Sequence, residues 1–189
     1  MELSKIFEQY FIASNDANDE NQTVCGECGG LCCRNMGCHI SPNDLKEISV
    51  ESIIALINES GCISIDWYEG NPADDNDYSP CYFLRMKHSG APVVDPSWGG
   101  VCCLWTDSGC PLSFQYRPKG ARTLHPDDNQ ECAADYTKEQ CVIDWLPYRG
   151  ILEEVVQYYR DKDGEHASKS IIDVFNAVTD FLYQHNLII

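Results

Sequence analysis

The stretch VESIIALINESGCISIDW, residues 50–67, changes its hydrophobic period part-way along. In its first half the apolar residues recur three and four positions apart, which is typical of one face of an amphipathic helix. Gly61 then provides a stop signal, because glycine readily adopts the left-handed backbone conformation that ends many helices. From Cys62 to Trp67 apolar and polar residues alternate as in a strand. The stretch therefore predicts a helix that is followed at once by a strand.

The helical pattern extends upstream of this stretch. Ser41 fits an N-cap, with Pro42 at the first helical position and Asp44 in the first turn. A helix is therefore predicted over residues 42–60, with a break near Ser49.

Both ends of the chain also show helical periodicity. An amphipathic helix is predicted near residues 3–13. Towards the C-terminus Thr137 opens a capping box, and Pro147 is expected to kink or split the helix that follows. A last helix is predicted from Ser168, so that helices occupy about residues 137–186.

Two further strands are predicted between these helices, at Cys81–Lys87 and Val101–Trp105. A chain of 189 residues has the size of one domain. Helices at both ends with short strands between them predict a small mixed α+β domain over residues 1–189. Within it we expect cysteine-rich, metal-binding loops over about residues 25–132 and a C-terminal helical segment.

The charge balance argues against two classes of partner. Lys and Arg total 13 against 30 Asp and Glu, which gives a formal net charge of −17. A nucleic-acid backbone and an anionic membrane surface both require clustered cationic side chains, so neither is expected. The longest dense apolar run, Ile53–Ile57, is also far shorter than a membrane helix requires.

Cysteine is unusually frequent, at 12 of 189 residues, and the compartment decides how these thiols are used. The first eight residues lack the basic region and apolar stretch of a secretory signal. A cytoplasmic location is therefore expected. In a reducing cytosol closely spaced cysteines bind metal more often than they form disulfides.

The first cysteine cluster is CGECGGLCC, residues 25–33. The two-residue gap between Cys25 and Cys28 lets both thiolates bind one ion, and the glycines permit the tight turn that aims backbone amides at sulfur. The adjacent side chains of Cys32 and Cys33 diverge in regular backbone. They therefore fit two ions, or a cluster and an ion, better than one mononuclear site; alternatively one of them is a buried core residue.

The second cluster is CCLWTDSGC, residues 102–110, which resembles a strand that turns back at its end. Along a strand Cys102 and Cys103 face opposite sides, so Cys103 is predicted to point away from a site shared by Cys102 and Cys110. The cysteines in apolar elements are predicted to be core residues: Cys62, Cys81 and Cys141.

Together the two clusters resemble a family of small bacterial and archaeal zinc- or iron-chelating cysteine-cluster proteins. The CxxC…CC motif of that family is matched by Cys25, Cys28, Cys32 and Cys33. Its later segment, with C-x-x-L, G-C and R-P-x-x-C-R in that order, is matched at Cys102, Gly109-Cys110, Arg117-Pro118 and Arg122. The resemblance covers about residues 25–125 and implies that the chain binds zinc or iron. A bacterial flagellin lysine methylase carries the same cysteine motif, so the resemblance does not separate a binding protein from an enzyme.

The chain departs from this family at Ala121, where the family has a cysteine. Three residues are candidates to replace that ligand: Cys132, Cys38 and His125. The nearby Arg117 and Arg122 have two interpretations. They either donate hydrogen bonds to metal-bound thiolates or pair with some of the many acidic side chains.

The leading hypothesis is a metal-binding protein whose two cysteine clusters converge on one metal-rich site. Zinc is the expected ion, because thiolate sites favour it. The candidate ligands are Cys25, Cys28, Cys32, Cys33, Cys38, Cys102, Cys110 and Cys132. The alternative is an iron–sulfur enzyme or electron carrier, including a protein-modifying enzyme similar to the lysine methylase. No nucleotide-binding or nucleophile motif is present in the sequence, so no catalytic residue is assigned, and a protein partner is left open.

Overall fold

The computed structural model describes residues 3–16, 33, 37–87, 102–106, 110–126 and 132–163. In these residues the helices are α1 (Leu3–Tyr10), α2 (Val50–Ser60), α3 (Lys119–Arg122), α4 (Lys138–Trp145) and α5 (Arg149–Asp163). The strands are β1 (His39–Ile40), β2 (Ile63–Tyr68), β3 (Cys81–Met86), β4 (Leu124–Pro126) and β5 (Cys132–Ala134). The fold is a small mixed α+β domain, as the sequence predicted.

The passage from helix to strand in residues 50–67 is confirmed. The side chain of Ser49 caps α2 by accepting a hydrogen bond from the amide of Ser52, and Gly61 ends the helix with a φ of 61°. The predicted break near Ser49 is therefore the true start of the helix. Upstream of it, Pro42–Asp44 forms only a short 3₁₀ helix that Ser41 caps.

Strands β1, β3 and β2 form an antiparallel sheet in that order, with Ile40 and Ile65 both opposite Leu84. Helix α2 packs against β2, α5 packs against both α2 and β3, and α1 packs against α2. The core between these elements consists of fully buried apolar side chains, among them Phe7, Phe11, Ile53, Phe83 and Leu152.

The C-terminal helical segment is split where the sequence predicted. Thr137 caps α4, and a short 3₁₀ helix containing Pro147 separates α4 from α5. The buried indole of Trp145 donates a hydrogen bond of 2.8 Å to the carbonyl of Ile40, which joins α4 to β1. The predicted last helix, from Ser168, lies outside the described residues. Among those described, no helix is long and apolar enough to cross a membrane.

The predicted strand Val101–Trp105 is wrong in the part that the structure describes. Residues 102–105 form a turn, in which the amide of Trp105 donates to the carbonyl of Cys102 at 2.9 Å. The run Cys102–Trp105 is apolar without alternation, and such a run does not specify a strand by itself. Conversely β1, β4 and β5 have only two or three residues each, too few to show a period of two.

Gly120 allows α3 to lie directly against β1. A Cβ at this position would come within 2.7 Å of both the amide nitrogen and the carbonyl oxygen of His39. We expect Gly120→Ala to lower the free energy of unfolding by about 1–3 kcal/mol, because backbone cannot yield as a flexible side chain does. A Cβ at Gly150, in α5, would meet none of the described atoms within 4 Å, so Gly150→Ala should instead add about 0.5–1 kcal/mol. Urea unfolding of both variants checks this, and equal midpoints would contradict it.

Candidate metal centre

Three cysteine-bearing segments attach to the end of β3 through backbone hydrogen bonds. The amide of Met86 donates to the carbonyl of Cys38 at 2.9 Å. The next residue, Lys87, donates its amide to the carbonyl of Cys62 at 3.0 Å and accepts from the amide of Cys103 at 2.9 Å. The sheet therefore fixes the positions of residues that are far apart in the sequence.

The two cysteine clusters meet at one backbone contact. The amide of Cys102 donates a hydrogen bond of 2.6 Å to the carbonyl of Cys33. Cys33 belongs to the first cluster and Cys102 to the second, so the fold brings one cysteine of each predicted motif together.

The thiols of Cys102 and Cys110 both lie near enough to that of Cys38 to act on it electrostatically. Burial raises the pKa of Cys38 well above its ordinary value, and the neighbouring Cys102 and Cys110 raise it further. Negative charge on any two of these sulfurs is mutually repulsive in a partly buried site. A bound cation would remove that repulsion, so the donor set suits a divalent metal ion.

Cys103 does not point away from the cluster, and the prediction that it does so is wrong. Its thiol makes hydrogen bonds with the thiols of both Cys62 and Cys102, and its Sγ lies 3.4 Å from the carbonyl oxygen of Cys62. The prediction failed because it assumed a strand, whereas the turn at Cys103 places adjacent side chains on the same side. Cys62, which the sequence assigned to the core, lies beside the candidate centre while being only 3% exposed.

The turn also supplies polar groups to the sulfur of Cys102. The thiol of Cys103 and the backbone amides of Leu104 and Trp105 donate to it. Against the opposing effect of burial, these donors lower the pKa of Cys102 to about 7. Amides aimed at sulfur stabilise a thiolate, which is the form of cysteine that binds metal.

For the remaining candidate ligands the structure gives less information. Cys25, Cys28 and Cys32 lie outside the described residues, and Cys132 begins β5, where it pairs with Pro126. Within the part of the chain that the structure describes, no three Cys, His, Asp or Glu side chains are arranged to hold an ion by themselves.

Two of the other cysteines are core residues, as predicted. Cys141 is fully buried, with its Sγ 3.5 Å from the carbonyl of Ile40. Cys81 is 1% exposed, with its Sγ 3.8 Å from the carbonyl of Ser79. Both sulfurs are thus engaged away from the contact between the two clusters.

Of the two interpretations of Arg122, the structure favours pairing with acids. Its guanidinium makes ion pairs with Asp16 at 2.8 Å and with Asp44 at 3.0 Å. Asp44 in turn accepts hydrogen bonds from the amides of Ser41 and Lys119, both at 2.9 Å. This network ties α3 to the segment that follows β1.

Arg117 and His39 contact a backbone carbonyl and aromatic rings. Arg117 donates to the carbonyl of Leu112 at 3.1 Å and lies over the ring of Phe114. His39 packs its ring edge-on against Phe83. Burial, with the neighbouring Lys138, lowers the pKa of His39 to about 4, so its imidazole is neutral. His125 lies in β4.

Comparisons with known proteins do not suggest a function for this site, so its function is interpreted from its chemistry alone. No family model, no curated protein and no solved structure matches this chain.

Proposed function

We propose that this chain is a metal-binding protein and that cysteines from its two clusters bind zinc at one shared site. The observation that carries the proposal is the contact of Cys33 with Cys102, beside the thiols of Cys38 and Cys110. Segments about 70 residues apart in the sequence, from Cys33 to Cys102, are thereby brought together at the end of one strand.

The chemistry of these donors fits zinc better than a hard cation. Zinc prefers thiolate sulfur, whereas calcium and magnesium require oxygen ligands. Because the described side chains do not complete a ligand set, we propose that the missing ligand comes from among Cys25, Cys28 and Cys32 of the first cluster. A site closed by four sulfurs would stabilise the fold, and the metal would act as a structural ion. Reduced thiols of this kind are consistent with a cytoplasmic location.

Elemental analysis of protein purified anaerobically, without chelator, tests the proposal. We expect at least one zinc or iron ion per chain, because a four-thiolate site binds zinc tightly. A colourless protein would indicate zinc, and a brown one would indicate the iron–sulfur alternative. A folded protein with less than about 0.2 ion per chain would contradict metal binding altogether.

A further inference from the structure

Beyond metal binding, we propose that Cys62 and Cys103 form a dithiol that hydrogen peroxide oxidises to a disulfide. This inference concerns a pair of thiols that the metal proposal does not use, and it does not depend on that proposal.

The backbone holds the two cysteines side by side. Both are anchored to Lys87, Cys62 through its carbonyl at 3.0 Å and Cys103 through its amide at 2.9 Å. The thiols hydrogen-bond to each other, and the Sγ of Cys103 reaches to 3.4 Å from the carbonyl oxygen of Cys62. Two sulfurs already in contact need little backbone movement to form a bond.

Cys62 is a better partner for Cys103 than the adjacent Cys102. Consecutive Cα atoms across a trans peptide are about 3.8 Å apart, below the roughly 4.4–6.8 Å that unstrained disulfides span. Cys62 is under no such restriction, because it comes from a different segment of the chain. The thiols of Cys81 and Cys141 are directed at carbonyls elsewhere, those of Ser79 and Ile40.

Cys62 and Cys103 differ in solvent exposure, and this difference suits an oxidation in two steps. Cys103 is exposed, whereas Cys62 is 3% exposed, so an oxidant can reach the pair from solvent while the second sulfur is shielded. A solvent-accessible thiol next to a second cysteine is one feature that redox-sensitive cysteines share.

The reaction consumes one peroxide and releases two waters. One sulfur of the pair attacks the peroxide, the O–O bond breaks, and a sulfenic acid and one water form. The other sulfur then attacks the sulfenic sulfur, an S–S bond forms, the S–O bond breaks, and the hydroxyl leaves as the second water. Both thiol protons end in water, the two sulfurs are oxidised, and the peroxide oxygens are reduced.

Mass spectrometry of the protein treated with one equivalent of hydrogen peroxide tests this, with and without prior removal of metal by a chelator. Before alkylation the intact chain should have lost the mass of two hydrogen atoms, and after denaturation and alkylation it should carry two alkyl groups fewer than the untreated chain. Trypsin cuts after Lys and Arg, and it should leave peptide 47–85, which holds Cys62 and Cys81, linked to peptide 88–119, which holds Cys102, Cys103 and Cys110. A thiol reductant should separate the two peptides.

Single substitutions identify the two cysteines that form the disulfide. The link between the peptides should be lost completely in Cys62→Ala and in Cys103→Ala, and it should be retained in Cys81→Ala. The exposed position of Cys103 makes its variant informative even if Cys62→Ala folds poorly. Three results would overturn the proposal: a gain of oxygen without a link, a link that persists in Cys103→Ala, or reduced thiols after treatment.

Discussion

Cys110→Ser is expected to release bound metal and to lower the free energy of unfolding by several kcal/mol. The thiol of Cys110 lies near enough to that of Cys38 to raise its pKa, and Cys38 is likewise affected by Cys102, whose amide contacts Cys33 of the first cluster. The free energy of binding a structural metal ion adds directly to the free energy of folding. Loss of one ligand therefore lowers the free energy of unfolding. Cys38→Ser should have the same effect, because it removes a thiol from the same group. Metal stoichiometry and urea unfolding are measured on the same preparations.

The matched controls are buried cysteines that lie elsewhere. Cys81→Ala and Cys141→Ala should keep their metal and lose on the order of 1 kcal/mol, as small core substitutions do. If Cys110→Ser retained the metal content of the unmodified protein, the second cluster would not belong to the site. If all four variants lost stability equally while metal was retained, the cysteines would be core residues alone.

The secondary structure was largely predictable because its signals are local. Residues 49–67 contain the cap, the periodicity and the glycine stop that define α2, and the alternation that defines β2. Pro147 likewise marks the boundary between α4 and α5. In contrast β1 exists because β3 provides hydrogen bonds along its edge, and two residues, His39 and Ile40, carry no pattern of their own.

The membership of the candidate site was less predictable, because it depends on contacts between distant segments. Sequence spacing marked Cys102 and Cys110, but it did not show that Cys62 lies next to the candidate site, where Lys87 holds it beside Cys103. The side to which Cys103 points depends on whether residues 102–105 form a strand or a turn. A period of two cannot be read in four consecutive apolar residues, so the sequence could not decide between these conformations.

Asp44→Ala is expected to lower the free energy of unfolding by about 3–5 kcal/mol, because it removes the buried partner of a buried charge. The side chain of Asp44 is 2% exposed and that of Arg122 is 8% exposed. Without the carboxylate, the guanidinium keeps its hydrogen bond to the carbonyl of Arg117 and the ion pair with Asp16. The amides of Ser41 and Lys119 lose their acceptor at the same time. Urea unfolding at neutral pH measures the effect.

Asp16→Ala is the matched control, since it removes the other carboxylate bound to the same guanidinium. The side chain of Asp16 is 56% exposed, and exposed ion pairs contribute only about 0–1 kcal/mol. Burial raises the pKa of Asp44, which shows that the buried carboxylate is costly despite its hydrogen bonds. The double variant Asp44→Ala with Arg122→Met should therefore lose less stability than the two single losses added together, because no unpaired charge remains. Equal losses for Asp44→Ala and Asp16→Ala would show that burial does not govern this pair.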